Sequence, residues 1–259
     1  ALPEVMAQLR HLVVEQGAGH IPLAVKSSIA SIASCGNPWK EDAAGRVKWL
    51  EGMGMTSDAS DSKETIHIFL GCMAGYDRRV RKTAQAVMRI LQTARIPFKI
   101  LAEEEVCCGD TVRRVGDFTT AQKVKETNKE NFLKNNVEKM YVLSPHCFST
   151  FKDMGGADET TSIQTAPLIE LLYRLFNDNV FSYTGKIEKK VTFHDPCFFS
   201  KHMDMIAQPR EILAGIPGIE IVEMEHFGKN SFCCGGGGGG IWRDVKKGER
   251  LSELRLDEA

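Results

Sequence analysis

The 259-residue sequence has no apolar run close to the roughly 18 residues that a membrane-spanning helix needs. Its longest candidate, Ile66 to Leu70, is strand-sized. No secretory leader pattern opens the chain. Neither sign of charge dominates: 33 Lys and Arg stand against 34 Asp and Glu, a net charge of −1. That balance leaves no electrostatic footprint for nucleic acid or an anionic lipid surface. Also missing are a Walker loop, a Ser-His-Asp arrangement, paired general-acid carboxylates and any flavin or nicotinamide fingerprint. The chain therefore shows no organic cofactor site of its own. Hydrophobic residues make up 42%, enough for a substantial core.

Cysteine is scarce too. Eight residues are too few for a disulfide scaffold at this length. Adjacent cysteines are poor disulfide partners, because a ring across one peptide bond is strained. No intact Cys-x-x-Cys knuckle of the zinc kind is found. These absences point to reduced cysteines gathered on metal in a reducing compartment.

What is present is a repeat. Between Cys72 and the pair Cys107-Cys108 lie 34 residues, and between Cys197 and the pair Cys233-Cys234 lie 35. Cys147 follows the first pair, in Ser144-Pro-His-Cys147. The segment Ala94-Arg-Ile-Pro leads to the first pair and Ala214-Gly-Ile-Pro to the second. Matched spacing and matched lead-in imply a duplication with a period of about 120–125 residues.

The pattern around the cysteines is α/β. Residues 1–60 read as helical and polar, with helices near the start and over Asp42–Met53, then a Gly/Ser/Asp linker over 53–62. Cys35 stands alone there and reads as a half-buried structural thiol. Strands are expected at Thr65–Leu70, Phe98–Leu101, Lys139–Leu143, Ile163–Thr165, Val191–His194 and Ile219–Met224. Helices are expected over Val80–Leu91, Thr119–Asn136 with a threonine cap, Ala166–Leu175 and Pro209–Leu213. Alternation of this kind implies two repeats, each a small parallel sheet flanked by helices, after a helical segment. The divisions are 1–60, 61–184 and 185–259. Cys72, Cys147 and Cys197 follow strand ends directly, where such folds place their ligands.

Two ligand sets follow: Cys72, Cys107, Cys108 and Cys147, and then Cys197, Cys233 and Cys234. Four thiolates suit zinc or an iron–sulfur cluster by count. Adjacent cysteines chelate one tetrahedral ion poorly but can reach different irons of a cluster. Gly235 to Gly240 is an unbroken glycine run. The run, with Gly235 and Gly236 as the binding positions, is read as backbone passing close to a cluster, where amides donate to sulfur. The alternative is a flexible linker. His146 is read as tuning the first cluster. His194, His202 and His226 are candidate proton carriers beside the second set. Glu103–Glu105 reads as a solvated loop, and Arg78, Arg79, Arg81 and Lys82 as a solvated helix face. For the glutamates the alternative is to hold the potential low or dock a basic partner, and for the basic group to dock an acidic electron-transfer partner.

A lone cysteine, then Cys-Cys-Gly, then Ser144-Pro-His-Cys147 resembles the cysteine-rich "CCG" domain, whose pattern closes with Cys-x-x-Cys. That domain occurs in duplicate in heterodisulfide reductase subunits and in glycolate oxidase iron–sulfur subunits. Membrane oxidoreductases carrying electrons from electron-transfer flavoprotein to menaquinone have it as well. Glu103-Glu-Glu-Val-Cys-Cys-Gly-Asp110, His194-Asp-Pro-Cys197 and the glycine run up to Ile241-Trp242 are most similar to the flavoprotein–quinone group. Cys35-Gly-Asn-Pro-Trp39 with Arg46-Val-Lys-Trp49 resembles the segment that joins an upstream ferredoxin-like domain to the first repeat.

The resemblance implies iron–sulfur clusters of the 4Fe–4S type, with a noncubane form as the alternative. It implies an electron-transfer subunit of an oxidoreductase. The donor would be a flavoprotein or ferredoxin and the acceptor a quinone-reactive membrane subunit or a disulfide, at the cytoplasmic face of a membrane. Two departures stand out. Ser144 occupies the first position of the closing Cys-x-x-Cys, and no closing motif follows Cys234 within the sequence, so the second repeat reads as truncated. The other readings are a catalytic disulfide reductase subunit and a zinc-stabilised assembly module without redox work, zinc being the alternative metal for one site.

Overall fold

The computed structural model describes residues 2–15, 17, 21–51, 65–152, 163–180 and 182–259. The chain divides into two units, Ala1–Ala166 with Gly238–Asp244, and Pro167–Gly237 with Val245–Ala259. The expected linker over 53–62 lies outside the described residues. Among them, no helix is long and apolar enough to cross a membrane.

The first unit is built on a four-stranded sheet: β1 (Ile66–Phe69), β2 (Phe98–Lys99), β3 (Lys139–Val142) and β4 (Gln164–Pro167), in the order β2-β1-β3-β4. β1 runs parallel to both neighbours, pairing Ile66 with Phe98, and His67, Ile68 and Phe69 with Met140, Tyr141 and Val142. All four β1 residues are buried, as a central parallel strand covered on both faces requires. Phe69, Phe132 and Phe151 meet edge to face beneath it, with ring centroids 4.7 to 6.1 Å apart.

Helices α1 (Leu2–Glu15), α2 (Leu23–Cys35), α3 (Lys48–Glu51), α4 (Gly71–Tyr76), α5 (Arg78–Thr93), α6 (Asp110–Val115), α7 (Phe118–Lys134) and α8 (Pro145–Phe151) complete this unit. Ala84, Val87, Met88 and Leu91 form the buried stripe of α5, at the expected helical spacing.

Two local expectations are corrected. The stretch expected as one helix from Asp42 is a 3₁₀ turn, Ala43–Arg46, capped by Asp42, followed by the single turn α3. α7 is capped by the Asp117 carboxylate, which accepts from the Thr120 N–H, rather than by threonine. Pro167 both ends β4 and stands at the N-cap of α9, so it opens that helix.

The second unit contains α9 (Leu168–Asn177), β5 (Lys189–Val191), α10 (Cys197–His202), α11 (Ala207–Ala214), β6 (Ile219–Ile221) and α12 (Leu251–Glu258). β5 and β6 pair in parallel, Lys189 with Ile219 and Val191 with Ile221. Leu168, Leu171 and Leu175 give α9 its buried face. A Cβ on Gly215 would lie 2.4 Å from Phe176, so glycine at this turn admits the ring.

Candidate metal centre

Fold logic brings four distant cysteines to one rim. Cys72 opens α4 immediately after β1, and Cys147 lies in α8 immediately after β3. Because those strands are parallel neighbours, their following turns emerge on the same side. Cys107 and Cys108 come from the loop between β2 and α6. All four are buried and free of disulfides.

The thiols interact in series. Cys72 hydrogen-bonds with Cys107, Cys107 with Cys108, and Cys108 with Cys147. The hydrogen bond to Cys107, then burial and the nearby Cys107 charge, push the Cys72 thiol well up. For Cys107 the hydrogen bond to Cys108 is the strongest influence, with Cys72 acting against it, and the net direction is up. For Cys108 the hydrogen bond with Cys107 works downward, but Cys147 and burial outweigh it. Such a set resists ionisation on its own, because several negative charges would crowd a dry pocket. A cationic group reverses that repulsion and deprotonates the set. This donor chemistry fits an iron–sulfur cluster. Among the described residues, no three His, Cys, Asp or Glu side chains form a group that could hold a metal ion as they stand. Sulfurs in series match a group of several metal atoms better than one point.

Sequence reading missed the support around these sulfurs. Glu105 is buried, which corrects its assignment to a solvated loop. Its Oε1 accepts from the Leu70 N–H and its Oε2 from the Gly71 N–H, both at 3.0 Å. Arg46 Nη1 donates to Glu105 Oε2 at 3.2 Å, and Arg46 Nη2 lies 3.6 Å from Cys72 Sγ. Gly36, in the left-handed conformation after α2, accepts the Cys107 N–H at 2.6 Å. Asn128, fully buried on α7, donates to the carbonyls of Val106, Cys107 and Val124 and accepts from the Val106 N–H. The available signal was an acid two residues before a cysteine pair, the last of three consecutive glutamates.

His146 stands beside Cys147 in α8 and is half-buried. Burial holds its pKa below the ordinary value, with Arg114 adding to the effect and Asp110 opposing it. Ser144 occupies the N-cap position of α8 without a side-chain capping bond. Cys35 is exposed, a correction to the half-buried reading, and its sulfur lies 3.4 Å from Ser34 Oγ.

The second set lies in the second unit. Cys197 opens α10 and is half-buried, while Cys233 and Cys234 are exposed. Burial first, and then the charges of Cys233 and Cys234, push the Cys197 thiol up, so the three are close enough to feel one another. The Gly235 N–H points at Cys233 Sγ at 3.3 Å, and a Cβ on Gly236 would sit 3.6 Å from Cys234 Sγ. The later glycines have another task. Gly239, at φ +81°, belongs to the first unit, where a Cβ would fall 2.6 Å from Val115.

Asp195 is buried two residues before Cys197. It takes a bidentate pair of bonds from Arg210, at 2.8 and 2.9 Å, and the Gly228 N–H at 2.7 Å. His194 accepts from Arg255 Nε at 3.1 Å, and His226 stacks on Phe232 at 4.0 Å. His202 is exposed against Phe198.

A model of the cysteine-rich domain matches residues 66–152 and 191–259, spans that contain every cysteine of both sets. The chain belongs to the cysteine-rich CCG domain family. It is 30% identical to the EtfAB:quinone oxidoreductase of Syntrophomonas wolfei over 99% of the chain and 37% of that protein. It is 31% identical to a probable iron-sulfur-binding oxidoreductase, FadF, of Bacillus subtilis, over 96% of the chain and 36% of that protein. A dihydromethanophenazine:CoB–CoM heterodisulfide reductase component from Methanosarcina mazei is 29% identical over 99% of the chain and 62% of that protein. The CCG chain thus spans little more than a third of the first two relatives. No solved structure matches it. These relatives are oxidoreductases or their subunits by name, and the similarity runs over 96% or more of the chain in each case.

Proposed function

We propose that this CCG chain is the iron–sulfur electron-transfer part of an oxidoreductase. In this reading Cys72, Cys107, Cys108 and Cys147 hold a 4Fe–4S cluster, and Cys197, Cys233 and Cys234 supply thiolates to a second centre. A bound cluster would take up and release single electrons. The residues of the chain hold the sulfurs, keep water from the first set and supply compensating charge. The observation that carries the reading is the interacting series of four buried, unoxidised thiols. The donor is a flavoprotein or ferredoxin and the acceptor a quinone-reactive subunit, at the cytoplasmic face of the membrane. Support for that pairing comes from the relative whose name joins EtfAB to quinone.

The test is iron, sulfide and zinc analysis with EPR on the anaerobically purified protein. Iron with a reducible EPR signal that disappears in Cys108→Ser, and persists in Cys35→Ser, is expected. Zinc without iron overturns the reading.

The exposure of Cys233 and Cys234 favours one second reading, disulfide chemistry at the second set. A substrate can approach those sulfurs, whereas the first four are enclosed. An EPR signal that changes on adding a small thiol, and is lost in Cys233→Ser, separates this from simple relay.

A further inference from the structure

Arg46 lies outside the matched cysteine-rich spans, in the 3₁₀ turn before β1, yet it reaches the first thiol set. It is 1% exposed. Its guanidinium divides between two acceptors, Glu105 Oε2 and Cys72 Sγ. Nε is also buried and has no hydrogen-bond partner. Glu105 in turn grips the Leu70 and Gly71 amides that lead into Cys72. A charge in this position is costly to bury, and an unmatched donor adds to that cost. Arg210 of the second unit is placed differently. Arg210 spends its donors on Asp195, Glu223 and the Ile206 carbonyl.

We infer that Arg46 is a positioning residue of the first centre: it fixes Cys72 and supplies the positive charge that raises the reduction potential of the group held there, with Glu105 setting the opposing limit. This rests on the iron–sulfur reading above. Cluster potentials follow local charge and hydrogen bonds to sulfur. Thiolate ligands leave such a group negative, so a buried cation touching a ligand favours the reduced form. A neighbouring buried carboxylate favours the oxidised form. The two residues therefore act with opposite signs although they sit in one hydrogen-bonded unit. The strap carrying Arg46 is thus part of the electron-transfer site and not only a connector. Gly75 leaves room for it, since a Cβ there would lie 2.9 Å from Arg46 Cγ.

The test is an EPR-monitored redox titration of the full chain and its Arg46→Gln, Arg46→Lys and Glu105→Gln variants. The signal followed is the one that Cys108→Ser removes. Arg46→Gln is expected to lower its midpoint potential and Glu105→Gln to raise it, with Arg46→Lys staying close to wild type. Shifts in the same direction for Arg46→Gln and Glu105→Gln, or no shift in either, overturn the inference while leaving the iron–sulfur reading intact. If Arg46→Gln fails to hold iron, the other two variants decide: an unmoved Glu105→Gln overturns the inference. Wild-type protein without iron fails the underlying reading, and this inference falls with it.

Discussion

Gly71 sits so close to Cys147 that a Cβ built on it would fall 3.3 Å from the thiol sulfur. The two residues lie in the segments after neighbouring parallel strands, β1 and β3, and their approach packs those segments closely at the first cysteine set. Gly71 also has φ +75°, a conformation that side chains adopt rarely.

Gly71→Ala is therefore expected to act twice. Backbone strain of about 1–2 kcal/mol lowers the stability of the iron-free protein. The added methyl group also pushes Cys147 away from its place beside Cys108. The measurement is thermal unfolding of the iron-free chain, together with iron content after anaerobic reconstitution. Both should fall, with the first centre's EPR signal affected more than the melting point implies. Gly185→Ala is the control, because a Cβ there meets nothing within 4 Å. Full iron content in Gly71→Ala would contradict the importance of this approach.

Asn128 is the next test of how the Cys107-Cys108 loop is held. It is fully buried and serves four backbone groups at once. Asn128→Ala leaves the Val106 N–H and the Cys107 carbonyl without these partners, at about 1–3 kcal/mol for each buried group that stays unpaired. Asn128→Asp is expected to be worse. It puts a charge in the core and removes the donor that three carbonyls share. Peptide-resolved hydrogen exchange should show faster exchange at residues 105–109 in both variants, while the second unit stays unchanged.

The two cysteine sets and the parallel α/β grammar were legible in the sequence because they rest on local signals. Spacing, strand-length apolar runs and the punctuation by Gly and Pro carry them. The stripe Ala84, Val87, Met88 and Leu91 came out as a buried face for the same reason. What stayed hidden was long-range. Nothing near Arg46 in sequence indicates that it meets Glu105, 59 residues away. The capping carboxylate of Asp117 competes with two neighbouring threonines in the sequence, and only the turn geometry selects it. The glycine run Gly235 to Gly240 reads in sequence as one stretch of backbone beside a cluster. Only its first members lie beside sulfur, whereas Gly239 admits Val115.

Acid should weaken the first unit through His146. Its pKa is held below 6.5 in the folded chain by burial, with Arg114 adding to that. The unfolded chain binds a proton there more readily. The contribution to stability is thus complete above 6.5 and lost as pH falls below it toward the folded value. Between about pH 7 and pH 5.5 the iron-free first unit should lose stability, and His146→Gln should flatten that dependence. Urea unfolding, followed through exchange in first-unit peptides, measures it. His194 has the same direction in the second unit, with burial the largest cause, so the readout must be confined to the first. An unchanged slope in His146→Gln would assign the effect elsewhere.

Both units tie the neighbourhood of a lone cysteine to that of its pair with a buried acid, but in opposite polarity. In the first, the acid, Glu105, precedes the pair and the amides, Leu70 and Gly71, precede the lone cysteine. In the second, the acid, Asp195, precedes the lone cysteine and the amide, Gly228, precedes the pair. Burial alone would push the Asp195 carboxyl up, but Arg210 and the Gly228 amide outweigh it and hold the pKa below 3.8. Its stabilisation is accordingly present above about pH 3.8 and disappears as pH falls through the folded value. Asp195→Asn keeps the shape and removes the charge, and should cost about 2 kcal/mol near neutral pH. Arg210→Ala should cost more, because it leaves a buried carboxylate without its cation. Exchange at residues 226–231 reports both losses directly, since Gly228 donates to Asp195 and Ser231 reaches its carbonyl. If Asp195→Asn leaves that exchange at the wild-type rate, the acid does not tie the two segments together, and the parallel with Glu105 fails.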